Sequence, residues 1–114
     1  MDSTNVCLVD DDPDFGDVVS VALKKDFSMQ VFESGSAFLK SFNEKAPDIV
    51  LLDLELPDVN GLEICKTVKD SPANTSIVIV SGHDDLDHRL KCYDAGSDDF
   101  FSKPISVAEL RAKL

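Results

Sequence analysis

The stretch "VCLVDDDPDFGDVVSVAL", residues 6–23, holds one strand, one turn and one helix, and its reading decides the fold. Val6 to Val9 form an apolar run too short for a helix, of the kind that fills a strand buried on both faces. Beyond the turn, Phe15, Val18, Val19, Ala22 and Leu23 recur at i, i+3, i+4, i+7 and i+8, the stripe of an amphipathic helix. Asp12 is its candidate N-cap and Pro13 its first helical residue. Between the two, Asp10, Asp11, Asp12 and Asp14 crowd like charges together. A pair ~4 Å apart repels by about 1 kcal/mol in bulk water and by about 4 kcal/mol at an effective dielectric of ~20. Either water dilutes these acids on a polar loop, or a cation holds them.

The same unit recurs along the chain. Apolar runs "DIVLLD" (48–53) and "SIVIVS" (76–81) read as further central strands, and the mixed runs "SMQVFE" (28–33) and "DDFFSK" (98–103) as edge strands. Amphipathic segments lie between them. The second carries Phe38, Leu39 and Phe42 after a Ser-Gly-Ser start, and the third, residues 61–69, turns Ile64, Cys65 and Val68 inward. The fourth, residues 84–94, has only Leu86, Leu90 and Tyr93 as an apolar stripe, which is either plain solvent exposure or part of a face shared with the fifth strand and fifth helix. The fifth opens with a capping box, Ser106 to Glu109, and continues through Val107, Leu110 and Leu114. Alternating strands and helices predict an α/β fold with a parallel sheet covered on both faces. With the three most apolar strands central, the flavodoxin-like order is 2-1-3-4-5, and ligands belong beyond the carboxyl ends of the strands.

Composition sets the bounds. A chain of 114 residues with 43% hydrophobic content is one globular domain, and no second domain is expected in it. No apolar run nears the ~20 residues of a membrane span, and "MDSTN" is no signal peptide, so the expected location is cytoplasmic. A net charge of -11 argues against direct nucleic-acid binding and against anionic membranes. Cys7, Cys65 and Cys92 are odd in number, widely spaced and set in apolar stretches, which reads as buried reduced thiols.

The strand ends carry a compatible chemistry: Asp10 and Asp11 after the first, Asp53 after the third, Ser81 after the fourth, Lys103 after the fifth. Mg²⁺ takes octahedral oxygen ligands, usually one or two carboxylates with phosphate and water. A carboxylate can attack phosphorus to give an aspartyl phosphate, while a lysine and a hydroxyl bind phosphoryl oxygens.

Over essentially its whole length the chain resembles the receiver domain of two-component response regulators. The matching residues are "VDDD" (9–12), "LLDLELPDVNG" (51–61), "IVSG" (79–82) and "DAGSDDFFSKP" (94–104). The resemblance implies that Asp53 accepts a phosphoryl group from a histidine kinase or histidine phosphotransfer protein. It implies Mg²⁺ (or Mn²⁺) held by Asp53, by Asp11 directly, by Asp10 mainly through water, and by the backbone carbonyl of Glu55. It makes Ser81 the conserved hydroxyl, Lys103 the conserved lysine before a Pro104 often joined in cis, and Phe100 the switch aromatic. It implies a switch, not a turnover enzyme, that promotes its own phosphorylation and autodephosphorylation. On phosphorylation Ser81 would move to the phosphoryl group, Phe100 would turn inward, and the face of the fourth helix, fifth strand and fifth helix would change. A C-terminal output domain and a homodimer through that face are compatible partners.

Three features depart from the commonest pattern: serine in place of threonine at 81, phenylalanine in place of tyrosine at 100, and a final helix that stops early at Leu114, as if truncated. Competing readings fare worse. An EF-hand loop on Asp10, Asp12 and Asp14 has its glycine one place late at Gly16, Val21 at its twelfth position and Pro13 within it. A haloacid-dehalogenase-type phosphatase needs an aspartate where Glu55 stands. The remaining alternative is a phosphorylation-independent interaction module of the same fold, against which the intact site residues speak. His83 and His88 read as a loop and a helix-surface residue.

Overall fold

The computed structural model describes residues 4–82 and 85–114. Its elements alternate as β1 (Thr4–Val9), α1 (Pro13–Leu23), β2 (Phe27–Phe32), α2 (Gly35–Glu44), β3 (Ile49–Leu52), α3 (Gly61–Asp70), β4 (Ser76–Ser81), α4 (Leu86–Asp94), β5 (Asp99–Ser102) and α5 (Val107–Lys113). The strands form one parallel sheet in the order β2-β1-β3-β4-β5. This is the architecture that the strand-helix alternation predicts.

Side chains alternate across each strand, so one central strand supplies both cores. Cys7, Val9, Val50, Leu52, Ile77 and Ile79 face α2, α3 and α4, where Phe38, Phe42, Ile64, Cys65, Val68 and Cys92 meet them. Val6, Leu8, Leu51, Val78 and Val80 face α1 and α5, against Val19, Leu23 and Leu110. Fully burying one such aliphatic side chain stabilises the fold by roughly 1.5–3 kcal/mol.

Local chemistry sets the ends of the helices. Asp12 caps α1 by accepting from the Asp14 and Phe15 N–H groups, with Pro13 at the first helical position, as expected. Ser34 caps α2, and Ser106 Oγ accepts from Glu109 N at 3.0 Å, which is half of the expected capping box. Gly96 ends α4 with φ +105°, and a Cβ there would lie 2.8 Å from Lys69 Cγ.

Several boundaries fall a residue or two from the expected ones. β1 starts at Thr4, β3 is confined to Ile49–Leu52, and β5 to Asp99–Ser102, which leaves Asp53 and Lys103 just beyond their strands. The apolar stripe of α4 does not pack inward. Leu86, Leu90 and Tyr93 are 68%, 49% and 44% exposed, whereas Cys92 and the capping Ala95 are buried. Two residues separate His88, Cys92 and Ala95 from that stripe, which is about 200° of helix, so the two sets stand on opposite faces. The stripe is therefore exposed, as both plain solvation and a face shared with β5 and α5 require. His83 and Asp84 lie outside the described residues; the described helix begins at Leu86, capped by Asp85.

All three cysteines are buried and free. Burial pushes the thiols of Cys7 and Cys65 up to about 11, which makes them poor nucleophiles. Among the described residues no helix is long and apolar enough to cross a membrane.

Candidate phosphoacceptor and metal site

The register of the sheet brings the ends of β1 and β3 side by side. Asp10 N–H still donates to Phe32 O (3.0 Å) and Asp53 N–H to Val9 O (2.9 Å), so both backbones continue their ladders while both side chains leave the sheet at its carboxyl edge. Asp10 is 1% exposed and Asp53 6%. Asp10 Oδ1 accepts from Asp12 N at 2.9 Å, which fixes the turn between strand and helix. Asp53 Oδ1 accepts from Glu55 N at 3.1 Å, so the Glu55 backbone lies against the pocket while its side chain is exposed.

Lys103 enters from the other side of the sheet. Its N–H donates to Ser81 O at 2.8 Å, continuing the β4–β5 ladder, and its peptide bond to Pro104 is cis. Its ammonium reaches Asp10 Oδ2 at 2.9 Å and stands 3.6 Å from Asp53 Oδ2. Ser81 is fully buried at the end of β4, paired with Ser102. The sheet thus gathers Asp10, Asp11, Asp53, Ser81 and Lys103 at one edge, as the strand-end pattern predicts.

Burial and charge act on these groups in opposite directions. Burial raises the Asp53 pKa and the Asp10 and Glu55 charges add to the rise; the Glu55 N–H and Lys103 offset part of it, and the net shift is upward. For Lys103 burial works downward, but the hydrogen bond to Asp10 and the charges of Asp53 and Asp10 prevail and raise it. Its charge is therefore secure at neutral pH.

Oxygen atoms of Asp10, Asp11 and Asp53 lie within 4.8 Å of one another, with Asp11 exposed and the other two buried. A cluster of hard carboxylate oxygens, two of them desolvated and with one ammonium for compensation, fits a divalent cation such as Mg²⁺ and no soft metal.

Phe100 departs from expectation. Its ring is 7% exposed and packs within the cluster that contains Cys92 and Ala95, 6.4 Å from the His88 ring and 5.8 Å from the Arg89 guanidinium. The ring already stands inward, so the expected inward turn has no starting position in this structure. His88 is half-buried against it and is more than a surface residue.

Two residues near the site have roles that sequence reasoning missed. Asp58, in the loop after Asp53, accepts from Gly35 N and Ser36 N, both at 3.0 Å, and from Ser36 Oγ at 2.6 Å. It thereby caps α2 from a distant segment, and nothing in the local sequence signals that contact. Phe15, read only as a core position, has the Lys103 ammonium 4.8 Å from its ring centroid. Its place in the first turn after the strand-end acids was the available signal.

A family model for the response regulator receiver domain matches residues 6–114. The transcriptional regulatory protein TrcR of Mycobacterium tuberculosis is 36% identical over 110 residues, which is 96% of this chain and 43% of that protein. The DNA-binding transcriptional regulator NtrC of Proteus hauseri is 32% identical over 115 residues, covering 100% of this chain and 24% of that protein. The chain thus spans about a quarter to a half of the length of such relatives. Among solved structures, the BeF3-activated DrrB receiver domain superposes with a TM-score of 0.91 at 32% identity, covering 98% of this chain and 94% of that one. Fold, strand-end residues and sequence agree, and this chain belongs to the response regulator receiver domains of two-component signalling.

Proposed function

We propose that the domain is a phosphorylation switch in which Asp53 takes a phosphoryl group from a histidine kinase or histidine phosphotransfer protein. The observation that carries this reading is the convergence of Asp10, Asp11 and Asp53 with Lys103 at the carboxyl edge of the sheet. Asp53 Oδ attacks phosphorus. The new O–P bond forms as the P–N bond to the donor imidazole breaks, and the bonding pair leaves on that nitrogen, which takes up a proton. With acetyl phosphate the acetate oxygen leaves instead.

The chain's own residues supply position and charge. Lys103 balances the charge of the phosphoryl group, and the Ser81 hydroxyl donates to one of its oxygens. Asp10, Asp11, Asp53 and the Glu55 carbonyl would hold Mg²⁺, which when bound supplies positive charge to the phosphoryl oxygens. The stored product is a biased conformation of α4, β5 and α5, not a released molecule, so the domain is no turnover enzyme. A cytoplasmic setting and an output domain in the full-length protein follow from this reading.

Acetyl phosphate with Mg²⁺ should add one phosphoryl group to the intact chain, observable by mass, and Asp53→Asn should take none. Undiminished labelling of Asp53→Asn would overturn the assignment.

A further inference from the structure

The Lys103 ammonium has three neighbours of different kinds: Asp10 Oδ2 at 2.9 Å, Asp53 Oδ2 at 3.6 Å and the Phe15 ring centroid at 4.8 Å. We propose that Phe15 is a positioning residue for phosphoryl transfer, its ring face holding the Lys103 ammonium at the site through a cation–π contact; this rests on Asp53 being the phosphoacceptor.

The two carboxylates do not hold the ammonium equally. Asp10 forms a short hydrogen-bonded pair, whereas Asp53, the reacting group, is the more distant partner. Left to these two, the ammonium would settle on Asp10 or swing to water, since the lysine side chain remains 28% exposed. The Phe15 ring borders an open cleft of about 350 Å³, lined also by Asp12, Lys103, Pro104 and Ile105. An aromatic face attracts a cation through its quadrupole without competing for its N–H donors. The ring therefore restrains the ammonium on its open side while its protons stay available to Asp10, Asp53 and an incoming phosphoryl oxygen. A carboxylate in the same place would hold it too firmly, and an aliphatic side chain would not attract it.

The ring itself is anchored. Phe15 follows the Asp12 cap by three residues, its N–H donates to Asp12 Oδ1 at 3.5 Å, and its side chain packs against the α1 side of the core. The turn that carries Asp10 and Asp11 thus also carries the aromatic face, so acids and ring are placed together.

Ring electronics can be varied at nearly constant shape by placing mono-, di- and trifluorophenylalanine at position 15 of the intact chain. With acetyl phosphate and saturating Mg²⁺, the labelling rate should fall stepwise with each fluorine, to about two- to fivefold below the parent. Phe15→Leu should fall at least as far, and Phe15→Tyr should keep most of the parent rate. The Lys103 side-chain NMR signals, shifted by the ring current, should move towards free-lysine values in Phe15→Leu. A flat fluorine series in a chain that labels normally would overturn the positioning role and reduce Phe15 to packing. A parent chain that takes no label at Asp53 would instead overturn the phosphoacceptor reading on which the role rests.

Discussion

Burial and the charges of Asp10 and Glu55 disfavour the ionised form of Asp53 that the Glu55 N–H and Lys103 favour, and the net shift of its pKa is upward. Because its folded pKa is raised, ionising Asp53 costs the fold stability, and that cost fades as pH falls through the folded pKa. Glu55 contributes to the shift from an exposed position at the mouth, so an incoming anion meets the same charge. Two unit charges ~7 Å apart in water repel by roughly 0.6 kcal/mol, and a phosphoryl dianion doubles this. Glu55→Gln should therefore speed labelling by acetyl phosphate about two- to fivefold at pH 7.5 and low salt, with added salt narrowing the gap. An unchanged or slower rate at matched Mg²⁺ would count against the charge effect.

Among the elements, α2 is held by a remote cap. The Asp58 carboxylate takes three donors at the helix start, and those bonds, led by that of the Ser36 hydroxyl, lower its pKa to about 2. A depressed carboxylate contributes stability that is present above its unfolded pKa, near 3.8, and lost as pH falls through about 2. Asp58→Ala should accordingly lower the melting temperature by a few degrees at pH 7, and the difference from the parent should close as pH approaches 2. A gap that persists at pH 2 would mean that packing of the loop, and not the charged cap, was lost. The loop has little slack: a Cβ on Gly61 would lie 2.7 Å from Leu54 Cα, so the segment after Asp53 is pinned at both Asp58 and Gly61.

At the scale of the whole molecule, the proposed switch requires the acidic cluster to be coupled to the distant face of α4, β5 and α5. Mg²⁺ binding only the folded state stabilises it by mass action, about 1.4 kcal/mol at ten times its dissociation constant. Added Mg²⁺ should raise the melting temperature, and Asp11→Asn should remove most of that increment; equal gains in both proteins would place the ion elsewhere. In the proposed switch the link to that face is Ser81, fully buried at the end of β4. Ser81→Ala should still accept label at Asp53 but lose most of the beryllofluoride-induced amide shifts across residues 85–106. A full parental response in that variant would exclude Ser81 as the link.

The sequence by itself determined the sheet and its order. Continuous apolar strands, 3.6-residue stripes and capping residues are local signals, and the buried strands Val6–Val9 and Ile77–Val80 left only the centre of a covered sheet to occupy. It also determined which residues meet at the carboxyl edge, because strand order alone brings Asp10, Asp53, Ser81 and Lys103 there. Only the tertiary structure decided what those residues do to one another. Lys103 pairs more closely with Asp10 than with Asp53, and it lies over Phe15; both depend on distances between segments 50 to 93 residues apart in the chain. The α2 cap by Asp58 and the inward Phe100 ring likewise arise from packing between remote elements. The stripe of α4 was visible in the sequence, but which face the helix turns to the core was set by Cys92 and Ala95 meeting Phe100. Periodicity reports that a helix has two faces; contact with the rest of the fold chooses between them.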